Sequence, residues 1–133
     1  MSNALDALLG AKPAAEITET VTMKRLGTEF TVKGLTGEDI DKIREQATFT
    51  VQNGKKLEKK VNEDEVSRMI VVKGTVEPNF ADAQLLKHFG AFDATECVNK
   101  ALLAGEITTL QTAILSASGF QTDEELIEEA KKQ

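Results

Sequence analysis

From Thr36 onward the chain repeats one order of signals: a small polar residue, an apolar stripe at helical spacing, then a glycine. A short side chain that accepts from a free backbone N–H starts a helix, and glycine, which turns left-handed without strain, ends one. Thr36 with Asp39 opens the first main helix, carrying Ile40, Ile43, Ala47 and Val51. The β-rich run Thr48-Phe49-Thr50-Val51 leaves its end open, and Asn53-Gly54 breaks it. Lys55 to Val61 reads as a basic loop. Asn62 with Glu65 caps a second helix, striped by Val66, Met69 and Ile70 and stopped at Gly74. Pro78 keeps Glu77 extended. A short helix runs from Asp82 to Phe89 and ends at Gly90. Asp93 and Glu96 open another, with Val98, Ala101 and Leu102. Gly105 separates it from a helix with Ile107, Leu110, Ile114 and Ala117, stopped by Gly119. Thr122 and Glu125 cap a last amphipathic helix with Leu126, Ile127 and Ala130.

The first third of the chain has a different period. Ile17 to Leu26 is rich in Thr and Val and reads as a strand, with Glu29 to Lys33 as its partner. A two-residue loop at Gly27-Thr28 puts glycine first, as a type II′ turn prefers. That register sets Met23 opposite Val32 and Arg25 opposite Phe30. Val21, Met23, Phe30 and Val32 then share one apolar face. An isolated hairpin is not stable in water, so this face rests on helices or the hairpin gains another strand. Ahead of it, Leu5, Leu8 and Leu9 make one stripe on a short helix from Asn3 to Gly10, followed by an Ala-rich linker. The fold class expected is α+β: an N-terminal β-hairpin packed on a predominantly helical C-terminal part. We expect one domain over residues 1–133, with 1–15 a mobile N-terminal arm and 121–133 a terminal amphipathic helix.

With 133 residues, 41% of them hydrophobic, the chain is long enough to bury a core. Six Phe and no Trp or Tyr make that core aliphatic. The net charge of −6 argues against a nucleic-acid partner, which needs a basic face, and against an anionic membrane surface. A single cysteine, Cys97, cannot form an internal disulfide and suits a reducing cytoplasm. The N-terminus lacks the pattern of a signal peptide, and no apolar run is long enough to span a bilayer.

The residues offer no catalytic constellation, metal motif or cofactor cradle. His88, the only histidine, falls at a helix end without partners, where its charge suits the dipole. Cys97 falls on an apolar helix side and reads as a buried, inert thiol. The carboxylates of Glu38-Asp39-Asp41, Glu63-Asp64-Glu65 and Asp123-Glu124-Glu125 each sit at a helix start, which stabilises them without catalysis. Lys55-Lys56 and Lys59-Lys60 read as a solvated loop or a contact for an acidic partner. Leu5, Leu8, Leu9, Leu126 and Ile127 are the partner-binding candidates. These terminal stripes either pack on the chain's own core or dock on another chain.

Several anchors recur at spacings that carry a resemblance. They are Arg25-Leu26-Gly27, Phe30 through Gly37, Gly74-Thr75-Val76-Glu77-Pro78-Asn79-Phe80, and Leu85-Leu86 through Gly90. Val98-Asn99-Lys100, Leu102-Leu103, Gly105-Glu106-Ile107 and Ser118-Gly119-Phe120 follow. Their order, from about Val21 to Phe120, resembles the XkdN-like phage tail assembly chaperones. Where that family often has Pro before Gly-Glu-Ile, this chain has Ala104, which alters a helix stop and not a binding group.

The resemblance implies a non-enzymatic role without cofactors. Such a protein holds the tape measure protein, a long and largely helical chain, soluble until tail tube subunits polymerise round it. It works in the cytoplasm of the bacterial host, from a phage or prophage, and is absent from the mature virion. The tail tube protein is a second partner, reached through a longer, frameshifted form; self-association is compatible with the role. Codons GCA AAA AAG at Ala130-Lys131-Lys132 would present a slippery heptamer, which the gene sequence tests. The alternative reading is a structural tail or head–tail connector component retained in the virion.

Overall fold

Val21, Met23, Phe30 and Val32 are buried on one face of an antiparallel hairpin, and helices cover that face. The computed structural model describes residues 3–120. Strand β1 (Thr18–Met23) pairs with β2 (Thr28–Lys33), and β2 also pairs with β5 (Thr75–Glu77), giving the order β1-β2-β5. Strands β3 (Thr48–Asn53) and β4 (Lys56–Val61) form a separate two-stranded ribbon. The helices are α1 (Ala4–Leu9), α2 (Gly37–Gln46), α3 (Glu63–Gly74), α4 (Ala83–Phe89), α5 (Ala94–Ala101) and α6 (Ala104–Ala117). The architecture is α+β, an N-terminal hairpin followed by a mostly helical part.

Helix α6 joins the layers. It packs on α3 and α5 on one side and on β1 and β2 on the other, and its Leu110 and Ile114 are fully buried. With Val32, Val71, Cys97 and Val98 they form the centre of an aliphatic core. Burying a side chain of this size stabilises the fold by roughly 1.5–3 kcal/mol. Gly74 lets α3 and α6 approach: a Cβ there would lie 2.5 Å from Cγ2 of Ile114. Phe80 is buried, its ring edge-on to Phe30 at 6.3 Å.

The helix caps follow the sequence. The Thr36 hydroxyl accepts from Asp39 N–H and the Asp39 carboxylate accepts from Thr36 N–H, a reciprocal box. Asn3, Asn62, Asp82 and Asp93 accept from the first turns of α1, α3, α4 and α5. After α6, Gly119 is left-handed at φ 94°, and Phe120 N–H reaches back to the Leu115 carbonyl at 2.9 Å.

Four expectations need correction. Met23 faces Thr28 and Val21 faces Phe30, whereas the two-residue loop had set Met23 against Val32 and Arg25 against Phe30. Lys24 to Leu26 form a 3-10 turn closed by Gly27 at φ 67°, so Arg25 lies in the loop and Thr28 in β2. Met23 moves its partner by an even number of residues, which is why every apolar side chain keeps its face. Val51 belongs to β3 and not to a helix, because α2 ends at Gln46. The basic stretch Lys55–Val61 is largely strand β4 and not a loop. Gly105 lies inside α6, whose start is set by the Glu106 carboxylate accepting from Leu103 N–H at 2.8 Å.

Candidate functional site

Helix α1 follows from a local cap: Asn3 Oδ1 accepts from Asp6 N–H at 2.9 Å, and Gly10 N–H returns to the Asp6 carbonyl. Its stripe finds no cover among the described residues. Leu5 is 63% exposed and Leu8 and Leu9 are each 76% exposed. Three adjacent leucines in water form a patch whose burial against a partner is favourable. The other two partner-binding candidates, Leu126 and Ile127, lie outside the described residues, as do the cap Thr122 and the carboxylates Asp123-Glu124-Glu125.

A groove of 520 Å³ opens between the β1–β2 turn and the start of α6, lined by Thr22, Met23, Lys24, Arg25, Leu103, Gly105, Glu106 and Thr109. Leu103 is exposed at its rim. Its wall is braced by one ion pair. Arg25 Nε donates to Glu106 Oε2 at 3.0 Å, Arg25 Nη2 donates to Glu106 Oε1 at 2.8 Å, and Nη2 also reaches the Ala101 carbonyl at 3.2 Å. The Arg25 guanidinium, followed by the Leu103 N–H, holds the Glu106 carboxyl below the ordinary glutamate value, and the same pairing raises Arg25. Sequence reasoning did not find this groove. Its residues come from two segments some eighty positions apart, and only the turn geometry joins them.

The anchors behind the resemblance meet in the fold. Arg25 touches Glu106, as above. Leu35 N–H donates to Ser118 Oγ at 2.8 Å, and a Cβ on Gly34 would lie 2.7 Å from the Ala117 carbonyl oxygen. Gly74 meets Ile114, and Phe80 meets Phe30. These residues join the hairpin, α3 and α6; none of them presents a reactive group.

The remaining polar groups have local explanations. Cys97 is fully buried, and burial pushes its thiol up. His88 lies in the last turn of α4, edge-on to Phe89. The acidic residues of 38–41 and 63–65 stand at or near the starts of α2 and α3, and Asp39 is lowered first by the Thr36 N–H. Glu96 is lowered by Lys100 and then by the Phe92 N–H. Among the described residues no three His, Cys, Asp or Glu side chains group as a metal site, and no helix is long and apolar enough to cross a membrane.

Comparison with known proteins gives two matches. The sequence model of the phage XkdN-like tail assembly chaperone proteins matches residues 5–131. The crystal structure of the protein yqbn superposes with a TM-score of 0.58 at 20% identity, covering 76% of this chain and 77% of that one, a likeness of fold. No curated protein matches the chain.

Proposed function

The chain belongs to the phage XkdN-like tail assembly chaperone family, and on that premise we propose that it binds the tape measure protein and keeps it soluble while tail tube subunits assemble. The observation that carries the reading is the uncovered leucine stripe of α1, lying within the span of the family match. A tape measure chain exposes long apolar helix faces before the tube covers them, and such faces aggregate. A short amphipathic helix supplies a matching face. Each contact buries only a few leucines, so each is weak and reversible, as a factor that must leave requires. The net charge of −6 favours solubility of the chain itself. On this reading Leu5, Leu8 and Leu9 are the contact residues, with Leu126 and Ile127 a second stripe. The protein acts in the bacterial cytoplasm, the tail tube protein is met through a longer form, and the family's role in assembly requires no catalysis.

Co-purification tests this. A tagged chain co-expressed with the tape measure protein is expected to retain it, and removal of residues 1–10 to release it. Mass spectrometry of mature particles is expected to find no copies of the chain. Stoichiometric copies in the particle, with no tape measure retained by either form, would replace the chaperone with a structural tail or connector component.

A further inference from the structure

Among the described residues the β3–β4 ribbon has two outer edges and no third strand. A lone hairpin is marginal in water, and three or more strands are the usual minimum. The two edges are unequal. Strand β4 carries Lys56, Glu58, Lys59 and Lys60, the charge pattern that blocks edge-to-edge pairing, whereas β3 carries no charged side chain. Phe49 on β3 is 47% exposed, and Leu57 opposite Gln52 is 73% exposed.

We propose that β3 pairs antiparallel with β3 of a second copy of this chain, making a continuous four-stranded sheet across a two-fold axis at Thr50. The register follows from the ladder. The loop Gly54-Lys55 is closed by the pair Asn53↔Lys56, and a pair closing a two-residue loop exchanges hydrogen bonds. Alternation then turns the backbone groups of Thr48, Thr50 and Gln52 outward. A two-fold axis normal to the sheet keeps faces together, so outward residues pair with outward residues. Centring on Thr50 sets Thr50 against itself and Thr48 against Gln52, which uses every outward group. Phe49 then lies opposite Val51 of the second copy, an aromatic and β-branched pair.

The charges agree with this register. Phe49 is flanked by Lys60 and Val51 by Glu58 within one chain. Each row of the completed face therefore reads Lys60, Phe49, Val51, Glu58, with an apolar centre and opposite charges at its ends. Two β4 strands placed edge to edge about their central outward residue would instead set Lys59 against Lys59. A second copy is thus favoured at β3 and disfavoured at β4. The inference concerns the chain alone and stands apart from the tape measure reading.

Sedimentation of the full chain and oxidative cross-linking test it. The wild type is expected to dimerise with rising concentration. Thr50→Pro removes only an outward N–H and spares the bonds to β4, so it is expected to keep the far-UV spectrum and to weaken the dimer by roughly a hundredfold, for two lost ladder bonds. Thr50→Cys is expected to form a covalent dimer, while Gln52→Cys alone is not; buried Cys97 contributes no background. A wild type that stays monomeric at its highest soluble concentration would overturn the proposal, even if β3 took a strand from another protein. So would a dimer unchanged by Thr50→Pro, or cross-linking no better at 50 than at 52. If Thr50→Pro fails to fold, the cysteine pair decides alone.

Discussion

The Arg25 guanidinium grips the Glu106 carboxylate with two nitrogens, tying the β1–β2 turn to the first turn of α6. The carboxylate does three things at once: it caps Leu103 N–H, receives Arg25, and carries the negative charge that a helix start favours. Arg25→Lys keeps the charge but loses the fork, and is expected to lower the melting temperature nearly as much as Arg25→Ala. Differential scanning calorimetry of the two variants checks this.

The same pair predicts an acid dependence. Glu106 is held below its ordinary value when folded, by Arg25 first and then by Leu103 N–H; Glu96 and Asp39 are held low as well. Depressed carboxylates contribute stability that is fully present above their unfolded values and lost as pH falls through the folded ones. Stability should therefore be flat near neutrality and decline below the ordinary glutamate value of 4.5. Glu106→Gln is expected to be less stable at pH 7 and to show a shallower acid decline. Denaturant unfolding across pH measures both.

Gly74 and Ile114 set the spacing of α3 and α6. Gly74→Ala would ordinarily gain helix propensity of up to about 1 kcal/mol. Here the new methyl meets three atoms of a fully buried, β-branched side chain within 2.8 Å. Overpacking of this kind costs about 1–3 kcal/mol, so the net effect is expected to be destabilising. In an Ile114→Ala background the penalty should vanish, and a double-mutant cycle shows it as non-additivity.

Thr75 is buried at the start of β5, and its hydroxyl has no hydrogen-bond partner among the described residues. Thr75→Val replaces it with a side chain of the same shape. The variant is expected to be about 1 kcal/mol more stable, since an unpaired buried hydroxyl costs on that order. A loss of stability in chemical unfolding would show that the hydroxyl has a partner.

The parts of the fold that sequence reveals and conceals differ for physical reasons. Helix starts are local, so Thr36, Asn62 and Asp93 were legible as the openings of helices from a few residues each. The faces of the first hairpin were legible because alternation survives an even slip, while its register was not, because Lys24-Arg25-Leu26-Gly27 turns over four residues. The second hairpin was concealed by β4. In Lys56-Leu57-Glu58-Lys59-Lys60-Val61 the only apolar residues, Leu57 and Val61, are separated by Lys59 on their shared face, although Gly54 at φ 66° supplies the glycine-first loop expected at Gly27. Of the candidate site, the α1 stripe was legible from its spacing. The groove braced by Arg25 and Glu106 was not, since it needs the two ends of the fold brought together.

On the function proposed above, the leucines of α1 hold a tape measure chain in solution. The most direct measurement is the soluble fraction of the tape measure protein when co-expressed with the wild type, with Leu5→Ser/Leu8→Ser/Leu9→Ser, and with no chaperone. All three leucines are exposed, so the triple variant should fold as the wild type does. The tape measure is expected to be soluble with the wild type and to sediment with the triple variant as it does alone. Equal solubility with the wild type and the triple variant would contradict the role of α1, and a tape measure insoluble with every form would contradict the chaperone reading itself.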